Sequence, residues 1–170
     1  PPSCRYKIYE PFIRMAAGFG EASIKHDKER YEHKYEYCDL LITGSGPSGL
    51  ASAYAAAKNG ARVILAEYKP RYGGSLLTSD VNIGNQTGVE WSEKIITELK
   101  SMSNVIVKNR SQVFGYYDHN MLVMSERIGD HLPKTQKYLP KQRLRYIRAK
   151  EVLISSGSIE RPLVFGNNDT

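Results

Sequence analysis

Cysteine is scarce in this sequence: Cys4 and Cys38 are the two present. Two cysteines cannot build a disulfide framework, and no Cys-x-x-Cys or His/Cys cluster stands at metal-ligand spacing. No metal site is expected, and a reduced thiol pair in a cytoplasmic protein is the simplest reading. Long apolar runs are lacking too. None approaches the roughly 20 residues needed to span a bilayer, so no membrane helix is expected. The opening residues Pro1-Pro2-Ser3-Cys4-Arg5 have neither an initiator Met nor the apolar core of a signal peptide. The stretch Arg161 to Thr170 carries no closing element, and together these features suggest a piece of a longer chain. Internal repeats and low-complexity tracts are absent. Acidic residues are outnumbered: the net charge is +6. The basic residues are nevertheless spread out. The densest stretch, Lys134 to Lys150, alternates with apolar residues as a solvated strand face would, and nucleic acid is not an expected partner.

What is present suffices for a core. With 170 residues, 41% hydrophobic and 25% charged, the composition is that of a soluble globular domain. Residues 1–37 read as an extension from a preceding domain. Within them Ile8, Phe12, Ile13, Met15 and Ala16 suit a short helix, and Lys25 to Glu36 reads as a solvated connection or a surface helix. From residue 38 the pattern sharpens. Asp39 to Thr43 is a short apolar run ending at glycine, as in a buried parallel strand. Pro47 to Asn59 is alanine-rich, with Pro at its start and Gly60 past its end, which predicts a helix. Arg62 to Glu67 reads as a second buried strand. Trp91 to Met102 should be an amphipathic helix with Trp91, Ile95, Leu99 and Met102 on one face. Asn104 to Lys108 is a third sheet strand. Gln112–Tyr117, Met121–Arg127, Arg143–Ala149 and Glu151–Ser155 are short and alternating, broken at Asp118-His119-Asn120 and by a loop from Pro133 to Pro140. They predict an antiparallel meander leading back to a buried strand, Val152-Leu153-Ile154. The expected fold is α/β: a Rossmann-like dinucleotide-binding domain with an inserted β-meander, incomplete over residues 38–170.

Gly44-Ser45-Gly46-Pro47-Ser48-Gly49 fits G-x-G-x-x-G. The pattern is weak alone, but here it follows a strand, opens a helix, and precedes an acidic strand end, Glu67, by about 20 residues. Gly44 would allow the turn, Gly46 the close approach of a pyrophosphate, and Gly49 the packing of helix on strand. The helix N-terminus would face the phosphates, and Glu67 the ribose hydroxyls. Glu67 argues against a 2′-phosphate, although Lys69 and Arg71 soften that argument. Gly73-Gly74 would let backbone run beside a ligand, and the strand end at Ser156-Gly157 could approach it from the other side. The fingerprint binds ADP and leaves NAD and FAD both open. No catalytic constellation stands out. Asp118-His119 suits a turn better than an acid–base dyad, and Cys38 suits a core position.

Glu67 to Gly74 and Val152 to Gly157 resemble the glutathione-reductase-like flavoprotein superfamily, with Ser156 in place of its threonine. Tyr9-Glu10-Pro11-Phe12-Ile13-Arg14, Val113 to Asn120 and Ile159 to Phe165 resemble the alpha subunits of heterotetrameric sarcosine oxidases. That resemblance implies a much longer chain in a multi-subunit complex. The complex would oxidise sarcosine, pass its methyl carbon to tetrahydrofolate and reduce oxygen to peroxide. Amine oxidation would occur at FAD in a beta subunit, with FMN at the alpha–beta interface. The alpha-subunit site would hold NAD, lined by Gly44 to Gly49, Glu67, Tyr68, Gly74, Ser75, Ser156 and Gly157, with Val113 near the adenine. An FAD-dependent reductase of the same superfamily and a non-catalytic nucleotide-bound module remain the alternatives.

Overall fold

The computed structural model describes residues 6–18, 24–132 and 138–158. Among the described residues eleven α-helices and β-strands follow one another. These are α1 (Tyr6–Ala16), β1 (Tyr31–Thr43), α2 (Pro47–Lys58), β2 (Val63–Ala66), β3 (Asn82–Ile83), β4 (Gln86–Thr87), α3 (Gly88–Ser101), β5 (Val105–Lys108), β6 (Ser111–Tyr117), β7 (Met121–Arg127) and β8 (Gln142–Ile154). The main sheet has the order β5-β2-β1-β8-β7-β6. β5, β2, β1 and β8 run parallel, whereas β6, β7 and β8 form an antiparallel meander. The expected α/β sheet with its inserted meander is therefore what forms. Among the described residues no helix is long and apolar enough to cross a membrane.

Two apolar layers lie on the two faces of this sheet. On one face α2 and α3 cover β1 and β2, with Ile42, Leu50, Leu65, Ile95 and Leu99 at the centre. Alanines at 53 and 57 bring α2 close to the strands. Burying each of the larger side chains contributes about 1.5–3 kcal/mol. The expected face of α3 is correct: Ile95 and Leu99 are buried, and Trp91 and Met102 pack against them. Its start is earlier than the apolar pattern suggests, because Thr87 and Glu90 form a reciprocal capping box. The opposite face carries Cys38, Leu41, Ile64, Leu122, Met124 and Ile147. There the sheet bends back on itself. β6 is last in the order, yet it begins with Ser111 N donating to Glu67 O (2.8 Å), just beyond β2.

Several expectations need correction. Residues 31–36 are neither a connection nor a helix; they extend β1 across the boundary expected at 37/38. The reason is a partner strand 111 residues further along the chain. β8 is one strand from Gln142 to Ile154, not two, and it pairs with β1 along its length. Its arginines meet the glutamates of β1: Arg143 Nη2 lies 2.8 Å from Glu32 Oε2, and Arg145 Nη1 2.6 Å from Glu36 Oε1. From Gln142 onward the basic stretch is thus a strand but not a wholly solvated face, since Arg145 is only 2% exposed. The strand end expected to be buried is only partly so: Ile154 is 63% exposed. The helix α1 forms as expected, with Phe12, Ile13 and Met15 exposed. The segments 133–137 and 159–170, with the matches quoted from them, lie outside the described residues.

Arg145 sits between two buried carboxylates, Glu36 and Glu126, the latter 2.6 Å from its Nη2. Burial pushes both carboxyls up, but the arginine, with Lys34 beside Glu36 and Lys108 beside Glu126, outweighs it and holds both below their ordinary value. Such a lowered pKa adds stability above the unfolded value near 4.5, and that stability is lost as pH falls through the folded value. Removing Arg145 takes the shared buried partner from both carboxylates and leaves Glu36 to Lys34 and Glu126 to Lys108 and Arg143, at a cost of up to about 3–5 kcal/mol. Arg145→Met should therefore lower the unfolding midpoint strongly at pH 7 and much less at pH 4, where the carboxyls take up protons. Urea melts at both pH values test this; an equal loss at each would refute the charge account.

Candidate functional site

Parallel strands leave their carboxyl ends on one edge, and ligands of open α/β sheets bind outside that edge. Here β1 ends at Thr43, β2 at Ala66 and β8 at Ile154, side by side in register. The turn out of β1 begins at Gly44, whose φ is +102°, a region that side-chain-bearing residues rarely adopt. A Cβ there would also collide with the backbone carbonyl of Ser155. Gly49, in the first turn of α2, is equally constrained: a Cβ would strike the Gly44 carbonyl and the Ser155 hydroxyl. These two glycines are required by the fold.

Gly46 is different. Its φ of −69° and ψ of −177° suit any residue, and a Cβ there would meet no protein atom within 4 Å. The fold does not need glycine at this position. It stands before open space at the N-terminus of α2, which no side chain caps. The first helical bond runs from Leu50 N to Gly46 O (2.9 Å), and Pro47 has no N–H. The amides of Ser48 and Gly49 precede that bond, at the partly positive end of the helix. The Gly73-Gly74 turn closes the loop on another side. Gly74 has φ +56°, and a Cβ on it would come within 2.8 Å of Gly46 Cα.

Glu67 follows β2 and is buried. Its Oε2 accepts from Ser45 N (2.8 Å) and Ser45 Oγ (2.5 Å), and its Oε1 accepts from Lys69 N (2.8 Å). Ser45 is itself fully buried, and Gly73 N donates to its carbonyl (3.0 Å). The structure thus brings Gly44, Ser45, Gly46, Pro47, Ser48, Gly49, Glu67 and Gly74 together at the turn out of β1.

The remaining candidates are looser. Ser156 Cα lies beside Gly44, and both Ser156 and Gly157 are exposed beyond β8. Tyr68 is exposed after Glu67, and Ser75 is exposed in a 3-10 turn at Gly74–Leu77. Val113 stands on β6 two residues beyond Ser111, the backbone partner of Glu67, and its side chain packs on the second core. Sequence reasoning missed Ser155, whose hydroxyl lies 3.0 Å from Thr43 O and 2.9 Å from Gly44 O. A serine after an apolar strand carries no signal of that role.

Asp118-His119 is a turn rather than a dyad. His119 has φ +58°, and Arg148 Nη1 donates to its carbonyl (3.0 Å). Cys38 is a core residue; burial, with the Asp39 charge beside it, pushes its thiol up to about 12.

The chain is similar to known proteins. A family model described as FAD dependent oxidoreductase matches residues 39–124. The sarcosine oxidase subunit alpha of Rhizobium meliloti (strain 1021) is 44% identical over 163 residues, covering 96% of this chain. That of Corynebacterium sp. (strain U-96) is 35% identical over 158 residues, covering 91%. In both cases the match covers 16% of the relative, so the chain spans about one sixth of their length. Among solved structures, L-proline dehydrogenase from P. horikoshii superposes with a TM-score of 0.59 at 21% identity. That match covers 88% of this chain and 28% of the other, and it shows the shared fold.

The two kinds of glycine should separate in experiment. Gly46→Val should leave the circular dichroism spectrum and melting temperature close to wild type while abolishing nucleotide binding. Gly44→Ala should instead destabilise the protein by about 1–3 kcal/mol through backbone strain. Thermal melts and nucleotide titrations on the same preparations distinguish them; nucleotide retained by Gly46→Val would show that the opening is not a ligand site.

Proposed function

Since the chain belongs to the FAD dependent oxidoreductase family, we propose that residues 31–170 are the first part of an adenine-dinucleotide-binding domain in the alpha subunit of a sarcosine oxidase-type complex. The observation that carries the proposal is Gly46. It is a glycine the fold does not require, facing open space between an uncapped helix end, the Gly74 turn and an acidic strand end. A pyrophosphate suits such a place, because backbone N–H groups and the helix dipole stabilise its charge without a bulky neighbour. Gly44 to Gly49 would hold the pyrophosphate and Glu67 a ribose hydroxyl, with Tyr68, Gly74, Ser75, Val113, Ser156 and Gly157 around them.

NAD is the first reading, on the likeness to sarcosine oxidase alpha subunits. FAD is the second, favoured by the family description. NAD held here would not be the hydride carrier of turnover, whereas FAD held here would supply redox chemistry that no side chain provides. This chain's own residues bind and orient it. Amine oxidation falls to a flavin-bearing beta subunit with FAD, with FMN at the subunit interface, tetrahydrofolate taking the methyl carbon and oxygen reduced to peroxide. Residues 1–30 lead into this domain from a preceding one, residues 31–37 already belonging to its first strand, and the complex works in the cytoplasm.

Mass spectrometry of nucleotides released on denaturing the full-length complex, with each subunit separated first, tests the assignment. NAD is expected from this subunit. FAD from it would put the second reading first, and no adenine nucleotide would remove the proposal. The 170-residue piece expressed alone should be colourless and should form no peroxide from sarcosine above a blank. Peroxide formation by it would place the chemistry in this chain.

A further inference from the structure

The position between the first two glycines of the loop is read, in the dinucleotide proposal, only through its backbone. Ser45 does something else with its side chain. It is completely buried, so its hydroxyl is not a surface group awaiting a ligand. Its Oγ donates to Glu67 Oε2 at 2.5 Å, and its own N–H reaches the same oxygen at 2.8 Å. The Oγ also accepts from Gly73 N at 3.3 Å, and Gly73 N donates to the Ser45 carbonyl at 3.0 Å. One side chain therefore joins three segments: the glycine loop, the end of β2 and the Gly73-Gly74 turn.

The arithmetic of acceptors gives this a consequence. An ionised carboxylate offers about four lone-pair positions, two per oxygen. Ser45 takes both on Oε2, and Lys69 N takes one on Oε1 (2.8 Å). The remaining acceptor capacity lies on Oε1. A carboxylate held in this way offers one oriented acceptor to a ribose hydroxyl, and its fixed negative charge opposes a phosphate in that place.

We propose that the Ser45 hydroxyl is the positioning group of the nucleotide site: it clamps Glu67 so that Oε1 alone receives the ribose, and thereby sets the preference for an unphosphorylated ribose. This rests on the dinucleotide reading above. Ser45 acts through Glu67 and does not itself touch the ligand. A carboxylate released from Ser45 can rotate away, and then both affinity and discrimination fall together.

The test uses the full-length chain freed of nucleotide. ADP-ribose, whose ADP portion is common to NAD and FAD, is titrated calorimetrically against 2′-phospho-ADP-ribose as counter-probe. Ser45→Ala should weaken ADP-ribose binding about tenfold, the loss of roughly one charge-assisted hydrogen bond. It should also narrow the preference over the 2′-phosphate by about threefold or more, whereas general loosening of the loop weakens both probes alike. Ser45→Cys fills the space with a somewhat larger group that donates poorly, and should behave like Ser45→Ala. In a Glu67→Ala background, Ser45→Ala should change affinity less than about twofold, since the partner is already gone. Wild-type affinity and preference in Ser45→Cys would reduce Ser45 to a space-filler and overturn the proposal. Equal losses from Ser45→Ala in both backgrounds would do the same. If the wild-type chain binds neither probe, the dinucleotide reading itself falls, and the proposal with it.

Discussion

The parallel pairing of β1 with β8 is the constraint on which the rest of the molecule depends. It runs from Tyr31 against Gln142 to Thr43 against Ile154. At its far end the pairing sets Ser155 beneath Gly44, so the turn out of β1 is shaped by a residue more than a hundred positions away. At its near end it brings Glu32 and Glu36 to Arg143 and Arg145. A slip of one residue would turn the buried arginine to the wrong face and pull Ser155 from the loop. The meander follows from the same pairing, because β8 is at once its third strand and a neighbour of β1.

The two ends of that pairing use different physics. The near end is ionic. Arg145 is shared by Glu36 and Glu126, and Lys108 reaches across from β5 to Glu126 at 3.1 Å. Buried charges of this kind add little net stability but strongly disfavour any register that leaves one unpaired. The far end is steric and polar. There the backbone approaches itself so closely that Gly44 and Gly49 admit no side chain. Of the three glycines in this motif Gly46 is the one that stands clear, so the space it faces is not a by-product of tight packing.

Much of this was legible from the residues. The apolar run before Gly44, the alanine-rich segment from Pro47 and the run up to Glu67 each report local geometry; the helix and the second strand form within a residue of where expected, and the first strand ends at Thr43 as expected. The α3 face and the β6–β7 hairpin were readable for the same reason. Charge in strands was not. Tyr31 to Glu36 looks solvated because its glutamates alternate with lysine, histidine and tyrosine, and nothing local announces the arginines that pair with them. Likewise, a buried serine between two glycines looks the same as an exposed one.

The sequence by itself therefore determined the order of elements, the strand–turn–helix at Gly44 to Gly49 and the acidic end of the second strand. These depend on hydrogen-bonding periods and turn sterics that act over a few neighbouring residues. Only the tertiary structure decided that β1 reaches back to Tyr31, that Arg145 is buried, and that Ser45 belongs to Glu67 and Ser155 to Gly44. Those facts depend on which distant segments share a register. Register is set by the fit of whole faces across the sheet, a property carried by no single stretch of the chain.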